Sequence, residues 1–157
     1  MTAVAPAGTR QEKSFGGDFR VADDIPPLVR PGRYKVMLDD YRTALMFTKA
    51  HKLILDFSIV SFGEYFGVRL PRYYNVIRFH GKAGQHGNFS ASKKGDLLRE
   101  IHTLFYHQPK RKDRIPMSMF NGVVIEADVV VVTEARGRKI PEALQYSKIA
   151  RLIRVVE

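Results

Sequence analysis

The spacing of apolar and polar residues changes several times along the chain, and each change marks an element. From Arg33 to Tyr41, Tyr34, Val36 and Leu38 alternate with Lys35, Met37 and Asp39, the period of a half-buried strand. Arg42 to Lys49 fits either an extension of that strand or a loop. Lys52 to Phe62 predicts a second strand with Leu53, Leu55, Phe57 and Ile59 as its apolar face. Gly63-Glu-Tyr-Phe-Gly67 reads as a turn, and Val68 to Phe79 as a third strand. Pro71 inside it cannot donate a ladder hydrogen bond, which points to an edge, a bulge or a bend. Arg72, Tyr74 and Arg78 share one face of this strand with Val68, Leu70 and Val76; Arg69, Tyr73 and Asn75 share the other with Ile77 and Phe79. The alternation leaves open which face meets water.

His80 to Phe89 is a glycine-containing loop, and Ser90 or Ser92 is placed to cap the next element. Lys94 to Phe105 carries Leu97, Leu98, Ile101, Leu104 and Phe105 at helical spacing and predicts an amphipathic helix. Tyr106 to Arg114 is a basic loop. Gly122 to Thr133 has a β-branched run that favours a strand. Glu134 to Lys139 reads as a hairpin-like connection, and Gln145 to Val156 as a closing strand or a short helix. The order β-β-β-α-β-β predicts a mainly β fold, an OB-fold-like barrel with one amphipathic helix. An open α+β sandwich with the same order is the alternative. Residues 1–30, rich in Ala, Gly and Pro without a sustained period, read as a flexible N-terminal tail. Residues 31–157 then form a single domain.

Charge narrows the function class. The 157 residues carry 26 Lys and Arg against 16 Asp and Glu, a formal net charge of +10. The charges of residues 1–30 cancel, so the excess belongs to the folded part and a basic disordered arm is excluded. Such a balance suits a polyanionic partner, above all nucleic acid. The chain has no Cys, which removes disulfides, thiol nucleophiles and Cys-based zinc sites. The opening lacks the apolar run of a signal peptide, and no stretch approaches a membrane span, so the expectation is a cytoplasmic protein with no membrane partner.

The segment from Phe62 to Phe79 holds six aromatics and three arginines in eighteen residues. Single-stranded nucleic acid needs that mixture, because bases stack on aromatic faces while cations follow the phosphates. Tyr65, Phe66, Tyr73 and Tyr74 are the stacking candidates, and Arg69, Arg72 and Arg78 the phosphate candidates. Lys110-Arg111-Lys112-Asp113-Arg114 supplies four basic residues in five, and Arg136-Gly137-Arg138-Lys139 sits in the connection before the last segment. The histidines His80, His86, His102 and His107 show no metal-ligand spacing. Glu126 and Asp128 share one strand face and are the only carboxylate pair suggestive of a metal-dependent nuclease. They fit the solvent face of a strand better. No phosphate-binding loop, nucleophile elbow or dinucleotide fingerprint is present, so neither a catalytic residue, a cofactor, a metal nor a small-molecule substrate is expected.

Three segments carry a family resemblance. Pro31-Gly-Arg-Tyr-Lys-Val-Met-Leu38 resembles the opening of small phage and mobile-element proteins of the OB-fold, single-strand-binding type. Tyr65-Phe-Gly-Val-Arg-Leu70 and Tyr74-Asn-Val76 resemble the turn and strand end found next in those proteins. The resemblance spans residues 31–157; the aromatic, basic third strand and the basic Tyr106–Arg114 loop depart from it. It implies a non-catalytic single-stranded-DNA-binding protein of replication, recombination or element maintenance, with DNA ahead of RNA. The edge of the third strand leaves room for a homo-oligomer. The alternatives are a protein–protein adaptor of a mobile element and, more weakly, the small metal-dependent nuclease.

Overall fold

The computed structural model describes residues 16–18, 27–46, 49–106 and 114–156. In chain order they form β1 (Gly32–Met46), β2 (Ala50–Ile59), β3 (Arg69–Asn75), β4 (Arg78–His80), β5 (Asn88–Ser90) and helix α1 (Asp96–Leu104). A 3-10 turn at Met117–Phe120 leads to β6 (Val124–Val132), the short β7 (Glu134–Ala135) and β8 (Arg138–Lys139), a second 3-10 turn at Glu142–Leu144, and β9 (Tyr146–Val155). The chain after Tyr41 therefore continues as strand, and the final segment is a strand rather than a helix. Among the described residues no helix is long and apolar enough to cross a membrane.

A bulge in β1 shapes the sheet. Its register against β2 shifts between Leu38 and Asp40. Val36 and Leu38 face inward before the shift, and Tyr41 and Thr43 pair with buried Leu55 and Leu53 after it. A bulge bends its strand and increases the local twist. The bend lets β1 serve two neighbours: Gly32–Met37 pair with β6, and Val36–Met46 pair with β2. The resulting antiparallel order is β3-β2-β1-β6-β9. Three consecutive strands with the fourth returning beside the first make a Greek key, and β9 extends it. The two edge strands, β3 and β9, approach each other without a hydrogen-bonded ladder, so the curled sheet stays open at this seam.

The predicted third strand is two strands. The Val76 N–H still donates to the His51 carbonyl at 3.1 Å, but the Ile77 N–H turns to the Ser90 carbonyl at 2.8 Å. This hands the chain from β2 to β5. Pro71 sits on an edge strand hydrogen-bonded to β2 alone, where a missing donor costs no ladder bond. The second strand ends at Ile59 rather than Phe62: the Val60 N–H still donates to the Lys35 carbonyl of β1 at 2.8 Å, but the Lys35 N–H turns to the Ser61 hydroxyl at 2.7 Å, and the ladder stops there.

The inward faces of β1, β2, β3, β6 and β9 enclose Val36, Leu53, Leu55, Phe57, Ile59, Leu70, Ile125, Val129, Ile149 and Leu152. Helix α1 packs against β3 and β9 through Leu97, Ile101 and Leu104. Its N-cap is Gly95, not Ser90 or Ser92; the Ser92 hydroxyl instead accepts the Lys94 N–H at 3.2 Å, in the turn before the helix. The core reaches back past the expected domain start at residue 31. Val29 is fully buried, and its N–H donates to the Ser147 hydroxyl at 2.8 Å.

Candidate nucleic-acid interface

The burial of β3 settles which face of this strand is inward, and it removes two of the sequence candidates from the surface. Leu70, Arg72 and Tyr74 point inward. Arg72 Nε donates to Glu100 Oε1 at 3.2 Å, and its second arm donates to Glu100 Oε2. The Tyr74 hydroxyl donates to Glu100 Oε1 at 2.8 Å, and so does the Leu152 N–H at 3.0 Å. Arg72 also lies over the Tyr74 ring, 4.3 Å from its centroid. One helical carboxylate thus satisfies groups from β3 and β9 together. Burial disfavours the Arg72 charge, but its bonds to Glu100 more than offset this and hold its pKa above the usual value. Burial, with the Glu100 charge beside it, pushes the Tyr74 hydroxyl well above the usual phenol value. Arg72 and Tyr74 are a structural tie, not groups that meet a phosphate or a base.

Arg69, Tyr73 and Asn75 face outward. Tyr73 stands in a cross-strand row with Ile54 of β2 and Arg42 of β1. Its hydroxyl is raised above the usual phenol value, first by burial and then by the nearby hydroxyl of Tyr146, with Arg42 and Asp56 also in electrostatic range. Tyr146 opens β9, and the β3 and β9 edges approach each other, so an outward tyrosine from each edge of the sheet lies at the open seam within electrostatic range of the other. Next along the face, Lys52 Nζ donates to Asn75 Oδ1 at 2.5 Å. Two arginines of this face have aspartate partners: Arg42 Nε lies 3.3 Å from Asp56 Oδ2, and Arg69 Nε 3.2 Å from Asp39 Oδ2.

The β7–β8 hairpin springs from the end of β6, just past Val132, the ladder partner of Tyr146, and closes with the Ile140 N–H on the Thr133 carbonyl at 2.7 Å. Arg136 and Gly137 both have positive φ, 53° and 77°, at the two central positions of this two-residue turn. That is the turn geometry whose twist matches the flanking strands, and Gly137 adopts it without a side-chain clash. Arg136, Arg138 and Lys139 are exposed on this hairpin. Sequence reasoning found this cluster and Tyr73. It missed Tyr146 and Arg42, which carry no local signal, since their value comes from the strands the fold places beside them.

The other candidates scatter. Tyr65 is half-buried against the core and meets Tyr34 edge-on, ring centroids 6.0 Å apart. Phe66 is exposed in the β2–β3 turn, at the opposite end of β3 from Asn75. Arg78 is exposed on β4, off the sheet that carries Tyr73. Arg114 is exposed; Lys110, Arg111 and Lys112 lie outside the described residues. Glu126 and Asp128 do sit on the outer face of β6, where arginines take them: Arg154 and Arg33 at Glu126, Arg33 and Arg151 at Asp128, with nitrogen–oxygen distances of 3.1–3.7 Å. Among the described residues no three His, Asp or Glu side chains are grouped to hold a metal ion. No protein-family model, curated protein or solved structure matches the chain.

Proposed function

We propose that this chain is a non-catalytic single-stranded-DNA-binding protein whose contact surface is the outer seam between β3 and β9. The observation that carries this reading is the approach of the β3 and β9 edges, which puts the outward Tyr73 and Tyr146 at one seam, with the cationic β7–β8 hairpin springing from the β6 end whose Val132 pairs with Tyr146. Bases would stack on the two tyrosines, and Arg136, Arg138, Lys139 and Lys52 would follow the phosphates. Aspartates hold Arg42 and Arg69 in place on the same face, so these two contribute orientation more than free charge. The net charge of +10 supplies the long-range attraction. The Greek-key sheet with a helix between its third and fourth long strands agrees with the OB-fold resemblance, and that resemblance supports a cytoplasmic role in replication, recombination or maintenance of a phage or mobile element.

Titration of the full chain with oligothymidine and with duplex of equal length, at two salt concentrations, tests the proposal. Tighter binding to the single strand, weakening with salt by a log–log slope of ~0.7 per phosphate contact, is the expected result. Equal or tighter binding to duplex would refute it.

A further inference from the structure

The turn between β2 and β3 displays two exposed aromatic rings. Phe62 is fully exposed and Phe66 is 63% exposed. The turn is nonetheless held by several hydrogen bonds. The Gly67 N–H donates to the Ile59 carbonyl at 2.8 Å, the Phe66 N–H to the Gly63 carbonyl at 3.2 Å, and the Lys35 N–H to the Ser61 hydroxyl at 2.7 Å. Tyr65 pins it to the core from below. Gly63 and Gly67 take φ of 139° and 85°, which other residues adopt only under strain. A pre-organised pair of exposed rings binds without first being ordered. The one charged residue between Phe62 and Gly67 is Glu64. An acidic, aromatic tip is the wrong surface for a phosphate backbone.

A surface of opposite character lies on α1. An open basin of about 640 Å³ is lined by Lys93, Lys94, Arg99, His102 and Thr103, with no carboxylate among them. Arg99 is ion-paired with Asp96, donating to its Oδ1 at 2.7 Å, and also donates to the Lys94 carbonyl at 3.2 Å, so Lys93 and Lys94 carry the basin's free positive charge. Lysine and arginine are attracted to the faces of aromatic rings and to a carboxylate alike. Tip and basin are therefore complementary in both respects. We propose that the Phe62–Phe66 tip of one copy of this chain docks in the Lys93–Arg99 basin of the next. Such a contact joins different patches on the two partners, so it propagates head to tail instead of closing a symmetric pair. The inference does not depend on the nucleic-acid reading.

Sedimentation velocity of the nuclease-treated full chain, at physiological ionic strength to screen the repulsion between +10 chains, tests it. The sedimentation coefficient should rise with concentration for the unaltered chain. Phe62→Ala/Phe66→Ala and Lys93→Glu/Lys94→Glu should each stay monomeric, with unchanged circular dichroism because all four side chains are exposed. Mixed one to one, they should form dimers and nothing longer, since only one intact tip and one intact basin can meet. A monomeric parent chain, association unaffected by either variant, or a mixture that stays monomeric would each overturn the proposal.

Discussion

Arg72 and Glu100, one on an edge strand and one on the helix, form a buried two-armed ion pair, with about a tenth of each side chain exposed. Glu100 also takes Tyr74 and the backbone of Leu152, so this carboxylate ties α1 to both edges of the open seam. Removing one partner of a buried pair leaves the other charged and unsatisfied. Glu100→Ala should therefore cost about 3–5 kcal/mol of stability. Urea denaturation measures it, and a loss below about 1 kcal/mol would contradict the assignment.

Tyr74→Phe separates the tie from the interface. It deletes a hydroxyl bonded to a carboxylate, worth about 1.5–3 kcal/mol, while leaving the ring in the core. Stability should fall by that order and single-strand affinity should not change. A selective loss of affinity in a stable Tyr74→Phe chain would put Tyr74 back in the interface.

Tyr73→Ala and Tyr146→Ala should do the reverse. Each removes a stacking platform, at about 1–3 kcal/mol of binding, with the salt slope unchanged. Binding isotherms at fixed salt give the first quantity, and the same isotherms across a salt series give the second.

Arg138→Ala and Lys139→Ala should weaken binding and flatten the salt dependence, by about 0.7 in the log–log slope for each phosphate no longer neutralised. Arg69→Ala, whose cation is already held by Asp39, should change the slope less.

The loop at 81–87 gives a pH prediction. The part of the β1 edge that β6 leaves is covered by this loop: the Thr43 N–H donates to the Gly84 carbonyl at 2.9 Å and the His86 N–H to the Tyr41 carbonyl at 3.1 Å. His86 stacks on Tyr41 and bonds Asp40, which also accepts from Gln85 at 2.8 Å. The His86 bond, more than any other cause, holds the Asp40 pKa below the usual carboxylate value. A carboxyl depressed in the folded state adds stability that is present above its unfolded pKa and lost as pH falls through the folded one. Hydrogen exchange at the Thr43 and His86 amides should therefore quicken, relative to the core of β2, as pH drops below about 4. Asp40→Asn should show the faster exchange already at neutral pH.

Much of the fold could be read from periodicity, for identifiable reasons. β2 and α1 were legible because Leu53, Leu55, Phe57 and Ile59, and Leu97, Ile101 and Leu104, are unambiguous apolar residues at fixed spacing. β3 was not, because Arg72 and Tyr74 are as long and amphipathic as Arg69 and Tyr73, and alternation alone cannot say which pair is inside. A signal did exist. Glu100 falls on the apolar stripe of the helix, and a carboxylate there requires a buried cationic partner. The bulge at Asp39 left no mark, so the extension of β1 and the second phase of its inward face stayed open. The placement of Tyr73 and Tyr146 at one seam was out of reach, because it arises only when the two sheet edges curl together.

Photo-crosslinking of bromodeoxyuridine-substituted single-stranded DNA to the full chain, with the attachment sites mapped by mass spectrometry, tests the central claim most directly. Crosslinks at Tyr73 and Tyr146 and in the Arg136–Lys139 turn, abolished by competing oligothymidine, are the expected result. Crosslinks confined to Phe62 and Phe66, or to the Lys93–Arg99 basin, would contradict it.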